Sequence, residues 1–202
     1  MQSRKSRYVV TVEDLQDRFL EIAEIAARQE VWVEGRDGRP AYLMVSHSAL
    51  QQRIAPMLRT IPADHPLAAV RRHIDAVVDP QLLGDIGQTR DEISVRDADA
   101  MLRLVAFRAL VLQILYSFRT QRCLAEDVAY NLLFRWFYGD QYLLYVPPCA
   151  AEIEATLAEL KDEVDVGNLL LGAIAVAERA MSPDAAHFTI HGELVAQWCP
   201  PH

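Results

Sequence analysis

The sequence predicts an α+β fold, in which a small β-α-β-β-α N-terminal module is followed by a mainly helical region and a C-terminal β-hairpin. Three patterns favour this fold class. Short β-prone runs at Tyr8–Val10 and Val31–Val33 bracket a helical pattern, apolar residues recur at helical spacing through most of the later chain, and Phe188–Val195 alternates in polarity. The expected domains are a module at 1–54, a linker at 55–64, a helical region at 65–140, and an acidic tail at 141–202 with two helices and the terminal hairpin.

The first strand and helix of the module are marked by local signals. Tyr8–Val10 is a short run of β-prone residues, and Thr11 can cap the helix that follows it. One face of that helix carries apolar residues at spacings of three and four, namely Val12, Leu15, Phe19, Ile22 and Ala26. This face is expected to pack against the sheet.

A hairpin and a second helix complete the module. Val31–Val33 and Ala41–Val45 are separated by a turn rich in Gly, Arg and Pro, which predicts two paired strands. Ser46 can cap a short helix that ends near Ile54. A module of about fifty residues has a marginal core, so we expect two copies to pair as a homodimer. The predicted dimer interface consists of the hairpin residues Trp32, Tyr42 and Met44.

Residues 65–140 carry the patterns of packed helices. The first helix has a stripe of apolar residues at Leu67, Val70, Ile74 and Val77. A loop is expected over 80–92, and a long helix over Asp97–Phe118 is apolar on most sides, which places it in the middle of a bundle. Another helix is expected over Cys123–Phe137, ended by Gly139.

The tail is predicted to begin with an extended apolar stretch at 141–149, closed by two prolines. Two helices follow, marked by the apolar positions Ile153, Leu157, Leu160, Val166, Leu169, Leu170, Ala173, Ile174 and Ala177. The alternation of Phe188–Val195 predicts a strand, bent at Gly192, that forms the terminal hairpin.

The negative charge of the chain is concentrated in its last third. The net charge is −8 over 202 residues, and residues 141–202 contribute −7, against −2 for 61–140 and +1 for 1–60. A polyanion such as DNA is therefore expected to contact the first two thirds of the chain. The acidic tail is interpreted as a solvated helical face, with a basic partner as the alternative.

The compartment is predicted to be the cytoplasm. Three scattered cysteines fit a reducing environment better than a disulfide scaffold. The basic N-terminus lacks the apolar run of a secretory signal, and charges interrupt the most apolar stretch, Ala98–Phe118. No association with a membrane is expected.

Residues 8–52 resemble the Phd/YefM family of antitoxins. The resemblance rests on the order of strand, helix, strand, turn, strand and helix, with Gly38-Arg39-Pro40 in the turn and Ala41–Val45 in the strand that follows. It implies a module that dimerises and binds operator DNA, with a separate C-terminal segment that wraps a toxin. Three basic residues just before the module are candidates for phosphate contacts, namely Arg4, Lys5 and Arg7, although an ordinary exposed basic end explains them equally well.

Residues 65–139 resemble the N-terminal region of InsH-like DDE transposases. The most specific string is YNLLFRWF at 130–137, preceded by RALVLQILYSFRTQRCL at 108–124. The resemblance implies a helical region that engages transposon-end DNA. Three aromatic residues of the string, Phe134, Trp136 and Phe137, are expected in the core. The phosphate contacts are assigned to Arg119, Arg122 and Arg135, with pairing to Glu126 or Asp127 as the alternative.

The resemblance to transposases implies that the chain is not an enzyme. At 188–195 this chain has FTIHGELV, and His191 stands where these transposases carry the first metal-binding aspartate. Imidazole is a poor Mg²⁺ ligand, and the chain ends before the other two carboxylates of the triad. No cofactor is expected. The zinc-ligand types near the C-terminus are interpreted as surface side chains rather than a metal site, and they are His187, His191, Cys199 and His202.

The function favoured by the sequence is therefore DNA binding without catalysis, in a regulatory protein that acts as a homodimer. Two alternatives remain. In the first, the chain is a type II antitoxin whose residues 140–202 neutralise a toxin protein. In the second, it is a degenerate transposase fragment without activity.

Overall fold

The computed structural model describes residues 8–35, 40–44, 46–78, 95–161, 165–181 and 187–199. The chain divides into two compact units, Met1–Pro56 and Met57–His202. The division between Pro56 and Met57 lies within the segment 55–64 expected as a linker, and that segment begins inside a helix that continues to Leu58.

The first unit is a three-stranded sheet with helices. Its elements are β1 (Tyr8–Thr11), α1 (Val12–Asp17), α2 (Phe19–Ala26), β2 (Val31–Glu34), β3 (Pro40–Met44) and α3 (His47–Leu58). Strand β1 pairs parallel with β2, and β2 pairs antiparallel with β3. The described strands and helices thus follow the predicted order, with two helices in place of the first predicted one. Of the turn expected at 35–40, residues 36–39 lie outside the described residues, and Pro40 begins β3.

The predicted first helix is broken at Arg18. Thr11 caps α1 as expected: its Oγ1 accepts a hydrogen bond from the Asp14 N–H at 3.1 Å, and the Asp14 carboxylate accepts from the Thr11 N–H at 3.0 Å. The backbone of Arg18 then leaves the helical region, with φ −130° and ψ 32°. The apolar spacing survives the break, since Ile22 and Ala26 are buried.

The two faces of the sheet separate the predicted dimer residues. Val31 and Val33 face the core of the unit, and Met44 is half-buried against that core. Trp32 lies on the opposite face, where Val9 is its partner in the parallel pairing. Met44 and Trp32 therefore do not share one face of the sheet, and the dimer surface stays a prediction. The side chain of Tyr42 lies outside the description.

The described part of the second unit is helical. Its elements are α4 (Pro66–His73), which continues as a π-turn (Ile74–Val78), α5 (Val95–Leu115), α6 (Gln121–Tyr130), α7 (Leu132–Tyr138), a 3₁₀ turn (Asp140–Leu143), α8 (Ala150–Leu160), α9 (Val166–Ala180) and α10 (Gly192–Trp198). The loop expected at 80–92 lies outside the described residues.

Helix α5 forms the middle of this unit, as its apolar character predicts. Every residue from Leu104 to Leu115 is buried, and α6, α7, α8, α9 and α10 all pack against the helix. Burial of these apolar side chains makes the helix the centre of the hydrophobic core of the unit. The predicted tail helices, α8 and α9, contribute to the same core through Ile153, Leu160 and Leu170.

The single helix predicted over Cys123–Phe137 is two helices. Asn131 leaves the helical region, with φ −94° and ψ 106°, and its side-chain Oδ1 accepts hydrogen bonds from the N–H groups of Leu133 and Phe134. Asparagine is among the preferred N-cap residues, because its side chain satisfies N–H groups that the helix leaves free. The asparagine of the transposase-like string therefore starts α7.

The predicted C-terminal hairpin is wrong. The segment 187–191 is extended, but its backbone pairs with the end of α5: Thr189 N–H donates to Leu115 O and His191 N–H donates to Ile114 O, both at 2.8 Å. Residues 192–195, expected in the strand, form the first part of α10 (Gly192–Trp198) instead. Phe188 and Ile190 pack on the core, which explains the alternating apolar pattern without a second strand.

Within the described helices, none combines the length and the apolar character that a membrane crossing requires.

Candidate nucleic-acid interface

The transposase-like string at 130–137 is divided between the core and the surface. Phe137 is fully buried, and the Phe134 ring packs edge-on against Tyr116 at 4.8 Å and Phe118 at 6.0 Å between centroids. These contacts confirm the predicted core role of the aromatic side chains. Tyr130, by contrast, is 91 % exposed at the end of α6.

Arg135, predicted to contact phosphate, is half-buried. Its Nη2 donates to the backbone carbonyl of Tyr145 at 2.9 Å and so ties α7 to the segment after the 3₁₀ turn. Its Nε atom is shielded from solvent. A guanidinium used in this way is poorly placed to meet DNA, so Arg135 is better described as a structural residue.

Two further arginines, which the sequence did not single out, hold α4 to α7. Arg71 donates to the carbonyl of Trp136 at 2.6 Å and pairs with Asp140 at 2.8 Å. Arg108 pairs with Asp75 at 2.7 Å and donates to the carbonyl of Tyr138 at 2.9 Å. The Arg108 side chain is only 6 % exposed, so the charge is compensated by its partners rather than by water. Both guanidinium groups therefore donate hydrogen bonds to backbone carbonyls at the C-terminal end of α7.

Arg119 and Arg122 are the predicted contacts that do lie on the surface. Arg119 is exposed in the turn before α6, and the Arg122 side chain in the first turn is 84 % exposed. Thr120 fixes the start of the helix, since its Oγ1 accepts from the Cys123 N–H at 3.2 Å. Both cations therefore stand at the positive end of the α6 dipole.

The expected pairing of one of these arginines with Glu126 is present. Arg122 Nε lies 3.3 Å from Glu126 Oε1, one turn further along α6, and the glutamate is 67 % exposed. A pair so exposed contributes little to stability and can exchange for another anion.

A groove of about 610 Å³ lies at the junction of α6 and α7. Its lining residues are Thr60, Asp127, Tyr130, Asn131, Leu132 and Leu133. Arg59, the neighbour of Thr60, is exposed. The groove thus combines an aromatic ring, apolar side chains and a carboxylate, with a cation next in sequence to one wall.

The remaining candidate residues do not join this surface in the described structure. Arg4, Lys5 and Arg7 lie outside the described residues. His191 caps α10, where its Nδ1 accepts from the Leu194 N–H at 3.4 Å. In the part of the chain that the structure describes, His, Cys, Asp and Glu side chains form no group of three or more suited to a metal ion. His202, one of the four zinc-ligand types noted above, lies outside that part.

His187 instead contacts His65, at a ring-centroid distance of 5.3 Å. His65 starts α4, where its Nδ1 accepts from the Leu67 N–H at 3.1 Å. Burial, with a smaller contribution from the nearby His187, lowers the pKa of His65. This pair joins the segment before α4 to the extended segment 187–191.

The surface role of Tyr130 was not predicted from the sequence. A signal exists, since Tyr130 is the last residue of α6 and lies three residues after Asp127 and seven after Cys123, both on the solvent side of the helix. This pattern can be recognised only when the helix is known to end at Tyr130, with Asn131 as its C-cap. Without that break, the tyrosine looks like one more aromatic residue of a buried string.

The comparisons with known proteins support a transposase origin for this part of the chain. Residues 56–143 match the model of a family described as a transposase domain (DUF772). The match contains α4 to α7, the groove, and Arg119, Arg122 and Arg135, and it confirms the predicted transposase-like region at 65–139. The resemblance of 8–52 to Phd/YefM antitoxins gains no support from it and stays a prediction. No curated protein and no solved structure gives a significant match.

Proposed function

We propose that this transposase-derived chain binds DNA through the start of α6 and does not itself cut or join DNA. The observation that carries the proposal is the placement of Arg119 and Arg122. Both are exposed and stand together at a helix N-terminus, inside the segment that matches a transposase domain. Exposed cations at such a position attract phosphate through both their own charge and the helix dipole.

The exclusion of three neighbouring arginines sharpens the proposal. Arg71 and Arg108 donate to backbone carbonyls at the end of α7, and Arg135 donates to the carbonyl of Tyr145, so each of these guanidinium groups makes a structural contact within the protein. DNA contacts are therefore assigned to Arg119 and Arg122, and not to Arg135. The Glu126 pair of Arg122 is a weak competitor because both side chains are exposed.

The absence of catalysis is supported by the role of His191. This residue occupies the position of the metal-binding aspartate in the transposases that the chain resembles, and it serves as the N-cap of α10. An imidazole nitrogen that accepts a backbone N–H is engaged in structure. It is also a poor ligand for Mg²⁺, which prefers oxygen.

The test is a salt titration of DNA binding by the full chain, followed by fluorescence anisotropy of a labelled duplex. Removal of one cation that neutralises a phosphate should reduce the slope of log K against log salt by about 0.9. The double variant Arg119→Gln/Arg122→Gln is therefore expected to bind more weakly, with a slope shallower by about 1.8. The matched control is Arg72→Gln/Arg179→Gln, which removes the same charge from exposed positions on α4 and α9.

Equal weakening by the two double variants would show that only the net charge matters, and it would overturn the assignment to α6. Binding that is absent from the wild-type chain at low salt would favour the second candidate, a transposase remnant without DNA activity. That candidate is compatible with the same family match.

The antitoxin alternative is less well supported by the packing. A segment that wraps a toxin must be available to it, whereas α8 and α9 complete the core of their own unit. Leu160, Leu170 and Ala177 are fully buried there. Binding a toxin through these helices would require the loss of that core, whose burial is worth about 1.5–3 kcal/mol per large aliphatic side chain.

A further inference from the structure

The groove at the α6–α7 junction contains the exposed part of the transposase-like string. In the string at 130–137, Asn131 caps α7, and Arg135 hydrogen-bonds the segment after the 3₁₀ turn. The other residues pack on the core, with the exception of Tyr130 and Leu132. Tyr130 is 91 % exposed and Leu132 is 38 % exposed, and both line the groove. No internal contact explains an aromatic ring at this site in the described structure.

We infer that this groove binds one unpaired base of a DNA strand, with Tyr130 stacking on the base and Asp127 accepting an N–H from its edge. The inference rests on the proposed function. An exposed aromatic ring offers a stacking platform to any base, because every base has a π-face. The groove is open to solvent, so a base of a bound strand can enter it from the surface.

The polar groups of the groove suit a base edge. Nucleobase edges present both acceptors and N–H donors. Asp127 supplies an acceptor, and the side-chain amide nitrogen of Asn131 makes no hydrogen bond within the described residues, so it remains a donor. A site for phosphate alone would not place a carboxylate at its wall, because the two charges repel each other.

Two exposed cations can serve the backbone of the same strand. Arg59 directly precedes Thr60, which lines one wall of the groove. Arg122 lies eight residues before Tyr130 on α6, about 12 Å along the helix axis at about 1.5 Å per residue. A strand that leaves its base in the groove can therefore reach the positive end of α6 within a few nucleotides.

The experiment measures binding of a labelled single-stranded 12-mer to the full chain by fluorescence anisotropy. Tyr130→Ala is expected to weaken binding about tenfold, and Tyr130→Phe to retain it within about twofold, since stacking needs the ring and not the hydroxyl. An oligonucleotide of the same length with abasic sites throughout should bind wild type and Tyr130→Ala equally. Leu171→Ala, at an exposed apolar position on α9, is the matched control and should change nothing.

The outcomes separate this site from the proposed function. If Arg119→Gln/Arg122→Gln weakens binding while Tyr130→Ala does not, the base site is overturned and DNA binding through α6 stands. If neither the labelled duplex nor the single-stranded 12-mer binds at low salt, both are overturned. A lysine-rich peptide that binds more tightly than the 12-mer, and loses affinity in Asp127→Asn, would assign the groove to a basic peptide and overturn the inference.

Discussion

The guanidinium of Arg71 lies over the indole of Trp136, with its central carbon 4.4 Å from the ring centroid. The same arginine donates to the Trp136 carbonyl at 2.6 Å and pairs with Asp140 at 2.8 Å. One side chain of α4 thereby holds both the ring and the backbone of α7, and also the start of the 3₁₀ turn. The side chain of Trp136 therefore has a structural role within the fold that does not depend on DNA.

We predict that Arg71→Ala destabilises the protein by about 2 kcal/mol, because it removes a cation–π contact and leaves a carbonyl and a half-buried carboxylate without their donor. The measurement is a urea unfolding curve of the full chain. Arg72→Ala is the control: the neighbouring side chain is exposed, so its removal should cost less than about 0.5 kcal/mol. Equal effects of the two changes would show that the Arg71 network carries no stability.

A close backbone approach makes Gly167 irreplaceable. A Cβ at this position of α9 would lie 2.9 Å from the Trp198 carbonyl oxygen at the end of α10. We expect Gly167→Ala to cost about 1–3 kcal/mol as an overpacked contact and to increase the proteolytic cleavage of residues 187–199. Gly192→Ala is the control, because a Cβ there meets nothing within 4 Å and alanine favours the helix. Stability unchanged by Gly167→Ala would show that α10 can shift without cost.

The His65–His187 contact predicts a loss of stability in acid. The pKa of His65 is lowered in the folded state, so below its ordinary value of 6.5 the unfolded chain binds more protons than the folded chain. The contribution of His65 to the free energy of unfolding is therefore complete above pH 6.5. It is lost progressively as the pH falls below that value. Protonation of Nδ1 also removes the acceptor that caps α4.

His65→Asn tests this prediction, since asparagine caps a helix well and does not titrate. Urea unfolding between pH 5 and 7.5 should show a smaller pH dependence in His65→Asn than in wild type. His187→Asn should show an intermediate dependence, because it removes only the smaller of the two causes. Curves that superimpose for wild type and His65→Asn would contradict the assignment.

Periodicity predicted the elements that depend on a single helical face. The long buried helix appears as α5, and the tail helices appear as α8 and α9, because their apolar spacing is continuous. Breaks within such a pattern were missed. Arg18 and Asn131 interrupt predicted helices although the apolar spacing runs on across them, so only the cap geometry reveals where each helix stops.

The prediction of a C-terminal hairpin was wrong for a different reason. The alternation of Phe188 and Ile190 is real, but it reflects an extended segment that packs on the core and bonds to the end of α5. Such pairing with the last carbonyls of a distant helix leaves no local pattern in the sequence.

The residues of the candidate interface were predicted only in part, because long-range contacts decide the role of some of them. Exposure of Arg119 and Arg122 follows from their positions in the turn before α6 and in the first turn of that helix, whereas the contact of Arg135 depends on a carbonyl ten residues away.

The homodimer remains a prediction, and the sheet now indicates how to test it. Val9 is 46 % exposed on the same face as Trp32, whereas Met44 packs against the core on the other face. If two copies pair through the outer face of the sheet, Val9→Lys should convert a dimer into a folded monomer in light scattering at micromolar concentration. Met44→Ala should instead lower the unfolding midpoint and leave the mass unchanged. A wild-type chain that is monomeric would refute the predicted dimer.

The last prediction concerns His191 and catalysis. Because His191 Nδ1 caps α10, His191→Ala should cost about 1 kcal/mol, and His191→Asp should be neutral, since aspartate is an equally good cap. His191→Asp thus restores the acid of the transposase pattern in a folded protein. Two-metal phosphoryl transfer needs several carboxylates around two cations, so one restored ligand should not suffice. We therefore expect neither wild type nor His191→Asp to cut or join supercoiled DNA with Mg²⁺ or Mn²⁺. Metal-dependent cleavage by the wild-type chain that disappears in His191→Ala, with the helix content unchanged, would establish an enzyme and reverse the non-catalytic assignment.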